Sequence, residues 1–263
     1  MTKLVRPIVA VWLALFALTA SACAEEATSP AGEKLTLMVG EGKIVEGAYL
    51  AGLSLTMAEG WHTYWRHPGD SGIAPQFDWT GSRNVSHVEV LWPAPDRFDV
   101  PDDVTYGYAQ QVVWPLRVVP VDPASPVEVK LLMHYGVCSD ICVPVEAQLD
   151  LSLPAAEQKA EAAAINTFLA RVPVAPKNPD DVTVVLTGDA LHVTLKSATD
   201  AAVVIVEGPK NIWFGASRAR RTGDIVAYEV PVENNSGTTL MGADVRLTFA
   251  GSDTALEVTR KLK

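Results

Sequence analysis

The chain has 263 residues, a formal net charge of −10, 48% hydrophobic and 20% charged residues. This is the composition of an ordinary globular protein with one large or two small domains. Because it carries no basic footprint that could neutralise phosphates, we expect no nucleic-acid partner.

The N-terminus is predicted to be a cleavable secretory signal peptide, residues 1–24. Two positively charged residues precede the apolar run Ile8–Leu18, and small residues follow up to Ala24. Cleavage after Ala24 would remove Cys23, whereas cleavage two residues earlier would leave Cys23 as a first residue that a lipid tether could modify. We favour removal, because alanine stands where a lipidated cysteine usually has leucine three residues before it. The mature chain is thus predicted to be exported to a compartment where disulfides persist.

The rest of the chain alternates apolar and polar residues in short segments separated by proline and glycine. This pattern predicts an antiparallel β-sandwich over residues 25–154. An alanine-rich helix at 155–171 and a run of prolines then form a predicted linker, residues 155–180. Strand-like alternation resumes and predicts a second β-sandwich over residues 181–263. The fold class is therefore all-β, with two sandwich domains joined by a short helix and a proline-rich linker.

Removing Cys23 leaves one cysteine pair, Cys138 and Cys142. Regular alternation before and after the pair predicts two strands, and CSDIC is most simply the loop of a hairpin between them. Both cysteines fall in step with the polar residues of their strands. The alternation therefore predicts that both thiols point away from the core at the hairpin tip.

Three chemistries are open to this pair. A structural disulfide across so short a loop would add about 2 kcal/mol to strands that a hairpin already joins, so it is a weak staple. A metal site could combine His134 with both sulfurs, a donor set that suits copper or zinc, but no fourth ligand is evident. An exposed disulfide in a short loop exchanges readily, which favours a redox pair without a bound cofactor.

Several side chains could surround the pair. Trp61, Tyr64 and Trp65 are predicted either to pack in the core or to form a wall that shields the disulfide until a partner docks. Tyr106 and Tyr108 should share one strand face, either in the core or at the cysteines. Asp140 suits a turn, and its charge would raise the pKa of neighbouring thiols. We expect partner-binding or site-shielding roles for four residues: Tyr106, Tyr108, His134 and Asp140.

Three stretches carry a family resemblance: WHTYWRHPGDSGIAPQFDW (61–79), VTYGYAQQVVWPL (104–116) and YGVCSDICVPVEAQL (135–149). They resemble the N-terminal periplasmic domain of the DsbD family of thiol:disulfide interchange proteins, and most closely its ScsB branch, named for suppression of copper sensitivity. The resemblance implies an immunoglobulin-like fold, a periplasmic location and a redox role for Cys138 and Cys142. It also implies that Cys142 forms the mixed disulfides.

The same resemblance implies two partners, a membrane-embedded electron donor and a periplasmic thioredoxin-fold protein. The membrane-embedded and thioredoxin-like domains of longer family members are not in this chain, so a separate membrane protein is expected to supply the electrons. The Cys-x-x-x-Cys spacing also departs from the wider gap of the best-known members. Thiol-disulfide interchange is the favoured activity. The alternatives are a non-catalytic adaptor with a structural disulfide and a periplasmic copper-binding protein.

Overall fold

The structure is a computed structural model that describes residues 31–69, 71–100, 103–196, 201–233, 239–251 and 254–262. The predicted signal peptide and the possible lipid tether at Cys23 lie outside the described residues. Most regular structure in these ranges is β-strand, which confirms the predicted all-β class.

Ten of the described strands form what we call the N-terminal pair of sheets. They are β1 (Lys34–Val45), β2 (Ala48–Thr56), β3 (His62–Gly69), β4 (Gln76–Asp78), β5 (Val85–Val90), β6 (Asp96–Val100), β7 (Asp103–Ala109), β8 (Gln111–Pro120), β9 (Val127–Cys138) and β10 (Cys142–Leu153). One sheet has the order β1-β2-β8-β5 and the other β10-β9-β3-β7-β6, with β4 also paired to β9. The strand pairs are antiparallel. Every second residue of β9 from Val127 to Val137 is buried, so the predicted alternation builds the core between these sheets.

Eight further described strands form the C-terminal pair of sheets. They are β11 (Val182–Thr187), β12 (Ala190–Lys196), β13 (Val203–Glu207), β14 (Trp213–Phe214), β15 (Arg218–Thr222), β16 (Ile225–Glu233), β17 (Asp244–Ala250) and β18 (Leu256–Lys261). One sheet has the order β11-β12-β16-β14 with β15 also on β16, and the other has the order β13-β17-β18. A second apolar core lies in this part of the chain.

The predicted helix is present as α1 (Lys159–Leu169), four residues later than its expected start. Ile165 is buried against Met38 and Val113 on the outer face of the β1-β2-β8 sheet. The Glu161 carboxylate accepts a hydrogen bond from the Val39 backbone N–H at 2.8 Å. The helix therefore packs on the N-terminal pair of sheets and is not a free spacer. No helix in the described ranges is long and apolar enough to cross a bilayer.

The two pairs of sheets are in contact. Val203 and Ile205 of β13 belong to the core of the N-terminal pair. In the segment between the pairs, the Val174 N–H donates to the Ala255 carbonyl at 3.1 Å, ahead of β18. The predicted division into two domains with a linker at 155–180 stays a prediction, because residues of the C-terminal strand β13 pack in the core of the N-terminal pair.

At Gly107, strand β7 passes very close to β3. A Cβ atom there would lie 1.9 Å from the Thr63 carbonyl oxygen, which is backbone and cannot move aside without parting the strands. We expect Gly107→Ala to lower the free energy of unfolding by about 2 kcal/mol, in the range seen for overpacked sites. Urea unfolding measures this, with Ala109→Ser at the exposed end of β7 as a control that should change it by less than about 0.5 kcal/mol. Equal stability of the two variants would contradict the close approach.

Candidate functional site

The cysteine pair closes the hairpin of β9 and β10. The strands pair from Leu153 opposite Val127 to Cys142 opposite Cys138, so the cysteines are the last rung of the ladder. Their sulfurs form a disulfide with an S–S distance of 2.08 Å. Beyond them, the Ser139 N–H donates to the Ile141 carbonyl at 3.0 Å and closes the loop. The predicted hairpin is confirmed.

The two cysteines differ in exposure. Cys142 is exposed, but only 1% of Cys138 is exposed, so the expectation of an exposed disulfide is wrong for Cys138, although this residue does lie on the face away from the core, as predicted. The polar face of β9 is open at Glu128 and Lys130, but it is covered at its end. Alternation along one strand cannot show this cover, because other segments of the chain supply it.

Tyr64 of β3 supplies the cover over the sulfurs. Its hydroxyl donates to Cys138 Sγ at 2.8 Å and lies 3.3 Å from Cys142 Sγ. Its side chain is buried, and burial raises the pKa of the Tyr64 hydroxyl, with a further contribution from the negative charge of Asp103. The hydroxyl therefore keeps its proton at neutral pH and is a donor placed at the position where a cysteine thiolate would form.

A second segment, residues 71–73, covers Tyr64 and the end of β9. The Ser71 N–H and hydroxyl both donate to the Asp103 carboxylate, at 3.1 and 2.6 Å. A Cβ atom at Gly72 would lie 2.7 Å from the Tyr64 ring. One at Gly136 of β9 would lie 2.8 Å from the Ile73 side chain. Glycine at these two positions lets the segment lie closely over the site.

His62 lies beside the disulfide on the same sheet face. It is directly opposite Cys138 in the pairing of β3 with β9. Its ring makes an edge contact with Tyr64 at 5.4 Å between centroids and stacks on Phe98 of β6 at 4.6 Å. Burial lowers the pKa of His62, so the ring is neutral at pH 7. An aromatic wall thus borders the buried sulfur.

The predicted tyrosines on β7 are on the opposite face. Thr63 is paired with both Tyr108 and Val137, so these three residues face the core. The neighbouring pair, His62 and Cys138, faces outward. Tyr106 and Tyr108 share the core face, as predicted, and both are buried there. The Tyr108 hydroxyl donates to the Pro93 carbonyl at 2.8 Å. This placement assigns the pair to packing and not to a wall around the sulfurs.

The other two predicted residues are both exposed. Asp140 is in the loop between the cysteines, as its turn-forming character suggested. His134 is opposite Glu146, four residues from the cysteine rung, which is about 13 Å along a strand. Its Nδ1 lies 3.6 Å from the Glu146 carboxylate. The structure therefore brings Asp140 to the disulfide but not His134.

That distance also bears on a metal site. His134 is too far along β9 to join the two sulfurs around one ion, because metal–nitrogen distances are about 2 Å. In the described part of the chain, no three His, Cys, Asp or Glu side chains are grouped so that they could hold a metal ion. The copper-binding alternative thus has no assembled ligand set among these residues.

The sequence contains a partial signal for the residues at the sulfurs. His62 and Tyr64 are two positions apart in a strand-like stretch, so they share a face, and Tyr64 was one of three aromatic residues considered for a wall. Trp65, another of the three, is fully buried in the core. What the sequence could not show is that β3 pairs with the end of β9, since the paired residues are more than 70 positions apart in the chain.

The lowered pKa of His62 makes a prediction about pH and stability. The unfolded chain binds a proton on His62 near pH 6.5, before the folded chain does. Its contribution to stability is therefore fully present above pH 6.5 and is lost as the pH falls through the lower pKa of the folded state. Urea unfolding from pH 7.5 to pH 5 should show a smaller loss for His62→Gln than for the unchanged protein. The exposed His87→Gln is the control, and identical pH profiles for all three proteins would contradict the prediction.

Comparisons with known proteins identify the family and the fold. Residues 20–154 match the family model described as "Thiol:disulfide interchange protein DsbD, N-terminal". The chain is similar to the crystal structure of the N-terminal periplasmic domain of ScsB from Proteus mirabilis, with a TM-score of 0.74 and 24% identity. The match covers 89% of this chain and 94% of that one. A comparison with curated proteins finds no significant match. The structural likeness confirms the all-β, immunoglobulin-like fold.

Proposed function

From the premise that this chain belongs to the family of the N-terminal domain of the thiol:disulfide interchange protein DsbD, we propose that it relays electrons through Cys138 and Cys142. One observation carries the proposal. The disulfide joins one exposed cysteine to one buried cysteine, and a hydroxyl donor contacts both sulfurs. This asymmetry suits a reaction in which one cysteine meets the partner and the other resolves the intermediate.

The reaction transfers two electrons. In the reduced chain the Cys142 thiolate attacks a sulfur of the partner's disulfide, and the partner's other sulfur leaves as a thiolate that takes up a proton. The Cys138 thiol then loses its proton and attacks Cys142 Sγ. The mixed disulfide breaks, the Cys138–Cys142 bond forms, and the partner's second sulfur takes up the proton that Cys138 released, so the partner leaves as a dithiol. A dithiol donor restores the reduced pair by the reverse exchange.

Tyr64 contributes to both steps. A hydroxyl within 3.3 Å of either sulfur can donate to whichever sulfur carries the negative charge. Hydrogen bonds to charged acceptors are stronger than neutral ones, so the donor favours the thiolate over the thiol. The exposed thiolate is the nucleophile, and the hydroxyl lowers the energy needed to form it.

The disulfide's place in the hairpin argues against the adaptor alternative. The bond joins residues that already face each other at the end of a twelve-residue ladder. It therefore restricts the unfolded chain little, about 2 kcal/mol by loop entropy. A structural bond gains most when it joins distant parts of a chain.

The partners we propose are a thioredoxin-fold protein and a membrane-embedded dithiol donor. DsbD-family domains generally interact with both kinds of protein. Ile141 is 60% exposed beside Cys142 and offers an apolar contact at the point of attack. We also propose a periplasmic location, and the likeness to ScsB supports it because the similar domain of that protein is periplasmic.

Two measurements test the function. The first is a redox titration of the purified protein against glutathione, with free thiols counted by alkylation. We expect a reduction potential above about −300 mV, and a lower value would identify a structural bond. The second mixes the reduced protein with an oxidised thioredoxin and follows the transfer of thiols between the two chains. If thioredoxin stays oxidised although its disulfide is thermodynamically reducible by the pair, the relay is wrong and the adaptor is favoured.

A further inference from the structure

We propose that Arg66 is a positioning residue through which the C-terminal pair of sheets holds Tyr64 on the two sulfurs. The inference rests on the proposed exchange reaction and adds to it a role for the second half of the chain. Three features carry it: the loss of strand pairing after Tyr64, the anchoring of Arg66 and the strand pairing of its partners.

Strand β3 leaves its neighbours directly after Tyr64. It pairs with β9 only at His62 and Thr63. On its other side it pairs with β7, where Tyr64 is opposite Gly107 and the next paired residue, Gly69, is opposite Thr105. Five residues of advance along β3 therefore correspond to two along β7, which is a bulge in β3. The bulged residues between these rungs lack the ladder that would fix them. Tyr64 is therefore the last regular rung, and its position depends on what holds the bulge.

Arg66 holds the bulge to the C-terminal pair of sheets. Its guanidinium makes a forked contact with Glu207 at 3.1, 3.1 and 2.7 Å, and it also donates to Glu257. The ring of Trp65 lies 4.2 Å from the guanidinium carbon. Only 17% of the Arg66 side chain is exposed, so solvent screens this cluster weakly. Burial opposes the charge, but Glu207 and then Glu257 raise the pKa of Arg66 above its ordinary value.

The acidic partners are fixed in a sheet of the C-terminal pair. Glu207 is on β13 and Glu257 on β18, with β17 between them. The Thr248 hydroxyl of β17 donates to the Glu257 carboxylate at 2.9 Å. The Glu257 backbone N–H donates to the Val174 carbonyl at 2.9 Å. Because strand pairing holds both glutamates and hydrogen bonds within the C-terminal part of the chain also hold Glu257, they act as an anchor for the bulge.

A charge-sign experiment separates positioning from simple electrostatics. The readout is the rate at which iodoacetamide alkylates Cys142 in the reduced protein as a function of pH, with the modified cysteine identified by mass spectrometry. If Arg66 acted only through its charge, Arg66→Gln would raise the thiol pKa, whereas Glu207→Ala/Glu257→Ala would lower it. If Arg66 positions Tyr64, both variants raise the thiol pKa. We expect alkylation at pH 7 to become about three- to tenfold slower in both.

Three further variants complete the experiment. Arg66→Lys keeps the positive charge but loses the forked contact with Glu207, so positioning predicts slower alkylation even in this conservative variant. The same variant is the test if the other two variants do not fold. Arg246→Gln is the matched control, because Arg246 lies 4.0 and 3.9 Å from the same glutamates but is on β17, away from β3. We expect its alkylation rate to equal that of the unchanged protein. In a Tyr64→Phe background the effect of Arg66→Lys should disappear.

The inference would be overturned if Arg66→Gln and the glutamate double variant shifted the thiol pKa in opposite directions. A full Arg66→Lys effect in the Tyr64→Phe background would also overturn it. Neither result depends on a partner, so failure here leaves the exchange function intact. Conversely, absence of exchange with thioredoxin would refute the proposed function while these alkylation rates still reported on the position of Tyr64.

Discussion

Cys142→Ser is expected to abolish capture of a thioredoxin-fold partner, whereas Cys138→Ser should leave a chain that captures it stably. The physical reason is exposure. Cys142 can reach a partner's sulfur, while Cys138 is 1% exposed and lies under the Tyr64 hydroxyl. Without Cys138 nothing resolves the mixed disulfide, so the covalent complex accumulates.

Non-reducing electrophoresis of each single-cysteine variant with oxidised thioredoxin measures this capture. We also expect the lone Cys142 to react with iodoacetamide about a hundredfold faster than the lone Cys138, since alkylation requires both a thiolate and access to it. The matched control is the double serine variant, which should form no complex. Equal capture by the two single-cysteine variants would refute the assignment of roles.

Tyr64→Phe is expected to have the next largest effect, a rise of about one unit in the Cys142 thiol pKa. A hydrogen bond to a charged group contributes about 1.5–3 kcal/mol, and one pKa unit corresponds to about 1.36 kcal/mol. Exchange with thioredoxin at pH 7 should slow by about tenfold, because the thiolate fraction falls. The free energy of unfolding should fall by only about 1 kcal/mol, the usual contribution of a neutral hydrogen bond.

Tyr108→Phe is the control for this variant. It removes a buried hydroxyl from the neighbouring strand, where the donor bonds to the Pro93 carbonyl on the core face. Tyr108→Phe should lower the free energy of unfolding by a similar amount and leave the pH profile of Cys142 alkylation unchanged. If it shifted the thiol pKa as Tyr64→Phe does, Tyr108 would be part of the site, as the sequence first suggested.

The buried cysteine shows where sequence patterns stop being informative. Alternation on β9 correctly predicts Val127 to Val137 on the core face and the cysteines on the other. Residues on the polar face of β9 are exposed or half-buried along most of the strand, and only the last two on that face, Gly136 and Cys138, are buried. At Cys138 the cover comes from Tyr64, a residue 74 positions earlier. Burial there is a property of strand pairing between distant segments.

Arg66 illustrates the same limit at larger scale. In the sequence it is one basic residue in an aromatic stretch, and Glu207 and Glu257 are more than 140 residues away. Like-charged and unlike-charged residues are frequent on any surface, so their pairing is not encoded in a local pattern. Only the packing of the two pairs of sheets brings these three side chains together.

Local patterns in the sequence were enough to establish the all-β class, the hairpin that carries the cysteines and the membership of Cys138 and Cys142 in one pair. These features follow from alternation and short loops, which depend on neighbours in the chain. Three outcomes needed the folded chain: which sulfur is exposed, that Tyr64 and not Tyr106 or Tyr108 contacts the pair, and that Arg66 joins the two pairs of sheets. Those outcomes depend on contacts between segments far apart in the chain, whose register is set by packing over the whole fold.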